Sequence, residues 1–512
     1  MTTASAWSMA LVGMRGTAVE VEAALGAGLP RTVLVGLPDA ALYEARDRCK
    51  AAVAGAGLSW PDRLLTINLT PASLPKAGSH YDLAIVAAVL ASARLVPAEP
   101  AARTVFMGEL GLDGRVRAVR GILPALLAAR SHGLTTAVVP SEQLGEAELV
   151  EGLTVWAVAD LAELVEVLNG RPVCGRPVPA VAPTTPDEEQ APDLADVEGQ
   201  QSARWALEVA AAGGHHLFMH GPPGTGKTML AKRLPGLLPD LDDSQALEIS
   251  AIHSLAGHDL HDRLIRRPPF ADPHHTATVA AMVGGGARIP RPGAISLAHR
   301  GVLFLDEAPE FGTSVLEALR TPLESGVVSI ARSGATVSYP ARFQLVLAAN
   351  PCPCGHYGVP DSHCTCAPMM VRRYSQRLSG PILDRVDIHV AMTSSGASRL
   401  RRTAGPAPES SSVVRARVLE ARDRQRRRLA NTPWRTNVEV PGAQLRKTPP
   451  PPAGLDLIDD CIARGRLSAR GVDKVLRVAW TLADLAGRDK PCADDIASAM
   501  GLRQVETMGG AA

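Results

Sequence analysis

"HLFMHGPPGTGKTMLAKRL", His216 to Leu234, is the stretch on which the fold turns. A short apolar run ends in a glycine-rich turn, and the turn opens into helical spacing. The segment Gly221, Pro222, Pro223, Gly224, Thr225, Gly226, Lys227, Thr228 fits the phosphate-loop pattern G-x-x-x-x-G-K-[ST]. Its glycines let backbone N–H groups wrap phosphates, and the helix start adds a favourable dipole. Lys227 is placed to reach the β- and γ-phosphates of ATP, and Thr228 to ligate Mg²⁺. An eight-residue pattern arises by chance, but strand before and helix after make chance a poor explanation.

Working outward, "GVLFLDE" (Gly301 to Glu307) is an apolar strand ending in two carboxylates. Asp306 suits the Mg²⁺ shell and Glu307 the orientation of an attacking water. "LVLAAN" ends a further strand at Asn350, a polar group suited to hold that water. Strands alternating with helices imply an α/β core with a parallel sheet. Arg385 in "ILDRVD" and Arg470 in "LSARG" are lone arginines, and residue chemistry alone does not separate them from solvated charges.

The chain has 512 residues, enough for several domains. Its net charge of +1 gives no global field for nucleic acid, so any basic surface must be local. The longest apolar run, Leu83 to Ala93, is about half a membrane span. With no secretory signal pattern at the start, a cytoplasmic protein without membrane contact is expected. Pro-, Ala- and Ser-rich breaks divide the chain into an α+β domain (1–172), a linker (173–195), the ATPase core (196–395), a second linker (396–412), a helical domain (413–502) and a tail (503–512).

The order "DVEGQ", "GPPGTGKT", "DPHHTATVAAMVGGG", "PGAISLAHRGVLFLDEAPEF", "LRTPLESGVVSIARSGATVSYPARF", "NPCPCG", "RLSGPILDRVDIHV" and "LSARG" resembles, along nearly the whole chain, the magnesium-chelatase-like AAA+ ATPases of the YifB/ComM family. The resemblance implies an α/β multidomain protein: a P-loop αβα core with a helix-2 insert and a hairpin before sensor 1, then a helical C-terminal lid. It implies that Lys227 and Thr228 are Walker A, Asp306 and Glu307 Walker B, Asn350 sensor 1, Arg385 a finger completing a neighbour's site, and Arg470 sensor 2. A finger acting in trans implies a ring of six copies. Ala294 stands where Glu is expected in "PGEISLAH", a departure that touches the insert and not hydrolysis.

The insert (Pro273 to Gly293, with Arg288 and Arg291) and the hairpin (Val327 to Phe343, with Arg332) are expected to face the ring's pore. There the arginines would either contact DNA phosphates or brace neighbouring subunits. Between Arg399 and Lys447 lie 13 Lys and Arg against 4 Asp and Glu, either a nucleic-acid patch or a solvated lid helix. The first domain resembles the proteolytic domain of Lon, but the positions of its Ser and Lys dyad hold His80 and Leu123, so no peptidase activity is expected. The function implied is a DNA-dependent ATPase of helicase type that drives branch migration on branched or single-stranded DNA. The alternatives are a motor subunit of a metal chelatase and a protein-remodelling AAA+ regulator.

Cys352, Cys354, Cys364 and Cys366 form C-x-C-x₉-C-x-C between sensor 1 and the finger. Four thiolates suit a structural zinc near a neighbour's ATP, although C-x-C is tighter than usual; free thiols and a redox switch are the other readings. His253, His258, His261, His274 and His275 share no single helix face, so a second metal site is not expected.

Overall fold

The computed structural model describes residues 2–36, 40–72, 74, 76, 78–171, 192–286, 290–332, 335–359, 363–393 and 408–503. Most of both expected linkers, the tail and Arg288 lie outside these residues.

Residues 2–171 build a seven-stranded mixed sheet. Its order is Arg31–Val35, Leu64–Thr70, Arg15–Gly26, Thr2–Val12, Thr104–Phe106, Thr136–Pro140 and Thr154–Val158. The first two strands in the chain form an antiparallel hairpin in which Val12 faces Arg15, with Gly13 at φ +64° in the turn. Alternating burial along Thr2–Val12 shows why it is a strand: one face meets the core. The apolar run expected to fall short of a membrane is the helix Asp82–Ser92, with every residue buried against the sheet. Among the described residues no helix is long and apolar enough to cross a membrane.

The ATPase core is a five-stranded, wholly parallel sheet ordered Phe270–Ala271, Val302–Leu305, Gln344–Ala349, Leu217–His220 and Ile388–Ala391. Val302–Leu305 and Gln344–Ala349 are buried at every position, as expected for a sheet covered on both faces. Because all strands run the same way, the sheet has one edge of C-terminal strand ends and one of N-terminal ends. Ligands of open α/β sheets bind outside the former.

The C-terminal part is helical. Ser411–Arg428 and Ala469–Leu485 pack on the helix Gln201–Gly213 in one continuous core with the ATPase sheet. Asp387, just before the last strand, is buried and accepts from Lys474 Nζ at 2.8 Å, which ties this layer to the sheet. The first domain docks on the ATPase core: Gly121 N–H donates to Ser254 O at 3.1 Å, and Gly13 lies so close to the hairpin that a Cβ there would start 2.5 Å from Val337 Cγ1.

Candidate nucleotide site

Three strand ends converge on the phosphate loop. Leu217–His220 runs into it, Val302–Leu305 ends at Asp306, and Gln344–Ala349, lying between those two strands, ends at Asn350. The loop needs its glycines: Gly224 and Gly226 sit at φ +76° and +91°, and a Cβ on Gly221 would lie 2.1 Å from Met392 O. Lys227 Nζ donates to Gly221 O at 2.7 Å, Pro222 O at 2.9 Å and Asn350 Oδ1 at 3.0 Å. The ammonium is thus held by two loop carbonyls and by the residue expected as sensor 1. Burial pushes Lys227 down to about 8, against the pull of Asp306 and Glu307.

Thr228 Oγ1 donates to Asp306 Oδ2 at 2.6 Å. A hydroxyl and a carboxylate side by side at the mouth of a phosphate loop are the oxygen donors that would hold Mg²⁺ and let it offset phosphate charge. Glu307 has φ +49°, and its Oε2 lies 3.5 Å from Nδ1 of His275, at the start of the insert. His275 was missed in the sequence because histidines were weighed only as metal ligands; its one signal was the pair "HH" at the start of the insert.

Arg385 and Arg470 are elsewhere. Asp387 and Ile388 N–H groups donate to His216 O, before the strand that leads to the phosphate loop, so Arg385 sits at the N-terminal edge of the sheet. A four-residue strand puts roughly 13 Å between the edges. Arg385 pairs with Glu324, and its backbone carbonyl accepts from Lys474 Nζ at 2.7 Å. Arg470, exposed on the first turn of Ala469–Leu485, lines the same cleft of about 1430 Å³ as Arg385, Arg422, Arg435 and Arg477. That cleft contains no phosphate-loop residue.

With this geometry in hand, comparison with known proteins is decisive. Family models described as magnesium chelatase, subunit ChlI, match residues 193–400; subunit ChlI of Mg-chelatase, residues 21–143; and the ChlI C-terminal part, residues 408–503. The Escherichia coli protein YifB is 40% identical over 500 residues, 98% of this chain and 96% of its own. Competence protein ComM of Haemophilus influenzae is 39% identical over 507 residues, 98% of each. The Mycobacterium tuberculosis protein Rv2897c is 54% identical over 504 residues, again 98% of each. The chain belongs to the YifB/ComM group of magnesium-chelatase-like proteins.

As a member of this family the chain is an AAA+-type ATPase. Its insert and hairpin pack on each other: the Tyr339 hydroxyl donates to Pro290 O, and Gly284 closes on Ile330. Arg291 and Arg332 are exposed on these two elements. In the basic helix Ser411–Arg428 the charge is largely spent within the protein. Arg417 pairs with Glu208 at 2.7 Å and Glu409 at 2.8 Å, Arg415 with Asp240 at 2.9 Å, Arg428 with Asp484, and half-buried Arg422 donates to Ala211 O. Glu208, Asp240 and Asp484, each more than 50 residues away and invisible to a local charge count, brace this helix.

In the first domain Leu123 is buried and His80 Nε2 lies 3.0 Å from Met9 O, with burial pushing the imidazole down to about 4. Ser79 pairs with Glu109, and Lys76 Nζ reaches Gly36 O at 3.2 Å. His253 and His258 face each other at 3.3 Å. The four cysteines do come together, and among the described residues they are the one group with three or more metal-capable ligands in reach of each other. They lie beside the chain's own phosphate loop, a correction to their expected place near a neighbour's ATP: Gly355 in the cysteine loop abuts Pro223.

Proposed function

We propose that the chain works as a hexameric cytoplasmic ring in which ATP, bound with Mg²⁺ by Lys227, Thr228 and Asp306, is hydrolysed with Glu307 and Asn350 aligning water, while Arg385 and Arg470 come from the neighbouring copy. One observation carries the reading: the phosphate-binding groups and the two arginines stand at opposite edges of one sheet, so a single chain cannot close its own site. An open cleft around Arg385 and Arg470 is what a neighbour's nucleotide would fill, once Arg385 leaves Glu324.

The work done is branch migration or translocation on branched or single-stranded DNA. Supporting this, the insert and hairpin form one packed unit with exposed Arg291 and Arg332, next to Glu307 through His275, so nucleotide state and pore loops share a contact. The cysteine quartet holds a structural zinc. A chelatase motor is the second reading, favoured by the family models that match all three domains.

ATP-dependent strand displacement on a synthetic Holliday junction separates them. Turnover stimulated by the junction, weakened steeply by salt, and abolished in Lys227→Ala is the expected result. Turnover indifferent to DNA across a salt series removes the DNA reading.

A further inference from the structure

The loop after Asn350 is built around sulfur. Cys352 Sγ lies 3.3 Å from Cys354 Sγ and 3.7 Å from Cys364 Sγ, and Cys354 Sγ lies 3.6 Å from Cys364 Sγ. With Cys366 included, all four ligand atoms fall within 4.8 Å of one another. Thiolates about 2.3 Å from a tetrahedral ion are separated by about 3.8 Å, whereas a disulfide holds its sulfurs about 2.05 Å apart. These separations fit a metal cage and exclude S–S bonds. The Tyr357 N–H donates to Cys352 Sγ at 3.3 Å, the kind of bond that supports a thiolate ligand.

The same loop forms a wall of the phosphate site. Gly355, at φ +80°, presses on the phosphate loop so closely that a Cβ there would begin 2.5 Å from Pro223 Cδ and 2.8 Å from Cγ. Cys352, wholly buried, follows Asn350 by two residues, and Asn350 holds Lys227 Nζ at 3.0 Å. Two physical links therefore run from the sulfur cluster to groups that receive ATP: Gly355 to Pro223, and Asn350 to Lys227.

We propose that the four cysteines bind one zinc-class divalent ion whose occupancy sets the shape of the chain's own phosphate loop, making nucleotide affinity depend on that metal. This rests on the zinc reading above and is independent of DNA. Without the ion, four thiols on a loop of this length have no shared partner, and the turn at Gly355 loses its anchor. With it, the wall against Pro223 is rigid, because a tetrathiolate site contributes folding free energy of its own.

The test uses the full chain. Metal is measured by elemental analysis and by thiolate-to-cobalt charge-transfer absorption after Co²⁺ replacement. Affinity for a fluorescent ADP analogue is measured with Mg²⁺ in excess on zinc-loaded protein, on protein stripped by a chelator that is then removed, and on stripped protein given zinc again. About one ion per chain is expected from the single tetrathiolate cluster. Stripping should weaken ADP binding by about tenfold or more, in line with the effect of losing a metal site's supporting shell, and zinc should restore it. Cys364→Ser should behave as stripped protein. Gly355→Ala, which keeps all four thiols, should retain the metal and still bind ADP more weakly. Absence of both the ion and the cobalt band overturns the metal site. Full metal content with equal ADP affinity in loaded and stripped protein overturns the coupling and leaves the site standing.

Discussion

The two edges of the five-stranded ATPase sheet are built in opposite ways. At the C-terminal edge, functional groups are already engaged with one another: Lys227 with Asn350, Thr228 with Asp306, and Glu307 with His275. At the N-terminal edge, guanidinium groups line an open cleft, and Arg385 is held by Glu324 with nothing of the nucleotide site in reach. One edge gathers the phosphate loop and its carboxylates, and the other gathers arginines around a cleft. A parallel sheet makes this separation unavoidable, because loops from strand ends and loops from strand starts emerge on different sides. On the proposed reading, the reaction needs two copies.

The largest expected effect breaks or keeps this comparison outright. Arg385→Ala should lower ATP turnover by about 10³-fold or more, the range associated with arginine fingers, while each chain still binds nucleotide. Mixing Arg385→Ala chains with Lys227→Ala chains should recover part of the turnover, because each supplies the edge the other lacks. Normal turnover by Arg385→Ala alone removes Arg385 from the site, and no recovery in the mixture argues against complementation between chains.

A smaller effect sharpens the picture of the finished edge. Lys227 is pushed down to about 8 by burial, and phosphate charge should raise it on nucleotide binding. Nucleotide binding should take up a proton between pH 8 and the ordinary lysine range. Affinity should fall as pH rises through that window, by up to about tenfold per pH unit. Calorimetry in buffers of different ionisation enthalpy reads the proton directly; no uptake at pH 9 would mean that Lys227 stays charged without ligand.

The smallest effect concerns the link from that edge to the pore elements. His275→Asn should leave nucleotide affinity unchanged and alter the maximal rate only a few-fold, since a half-exposed polar contact of this kind contributes about 0–1 kcal/mol. It should, however, reduce the ratio of DNA-stimulated to basal turnover. An unchanged ratio would detach His275 from communication between insert and Glu307.

How far the sequence could be read follows from how local each feature is. The phosphate loop and the carboxylate pair 306–307 were legible because strand, turn and helix within about 20 residues already define them. The insert and hairpin were legible by resemblance, and the hairpin strands Val327–Arg332 and Ala335–Pro340 lie where expected. The N-terminal hairpin was passed over: Ala-rich strands with few β-branched residues carry a weak signal, and their burial against the helix Asp82–Ser92 is what makes them strands. The basic helix stayed between two readings because Glu208, Asp240 and Asp484 are far along the chain. The cysteine spacing looked tight for zinc, yet the turn at Gly355 brings the thiols to tetrahedral separations.

By itself the sequence determined that this is a P-loop ATPase of a specific family, because the phosphate-loop motif is made by neighbours along the chain. Only the tertiary structure decided that Arg385 and Arg470 share a cleft on the far edge, that the basic helix spends its charge internally, and that the sulfur cluster leans on the chain's own phosphate loop. Each of these depends on which side of a parallel sheet a segment emerges and on what distant residue packs against it. Neither is written in any local pattern of residues.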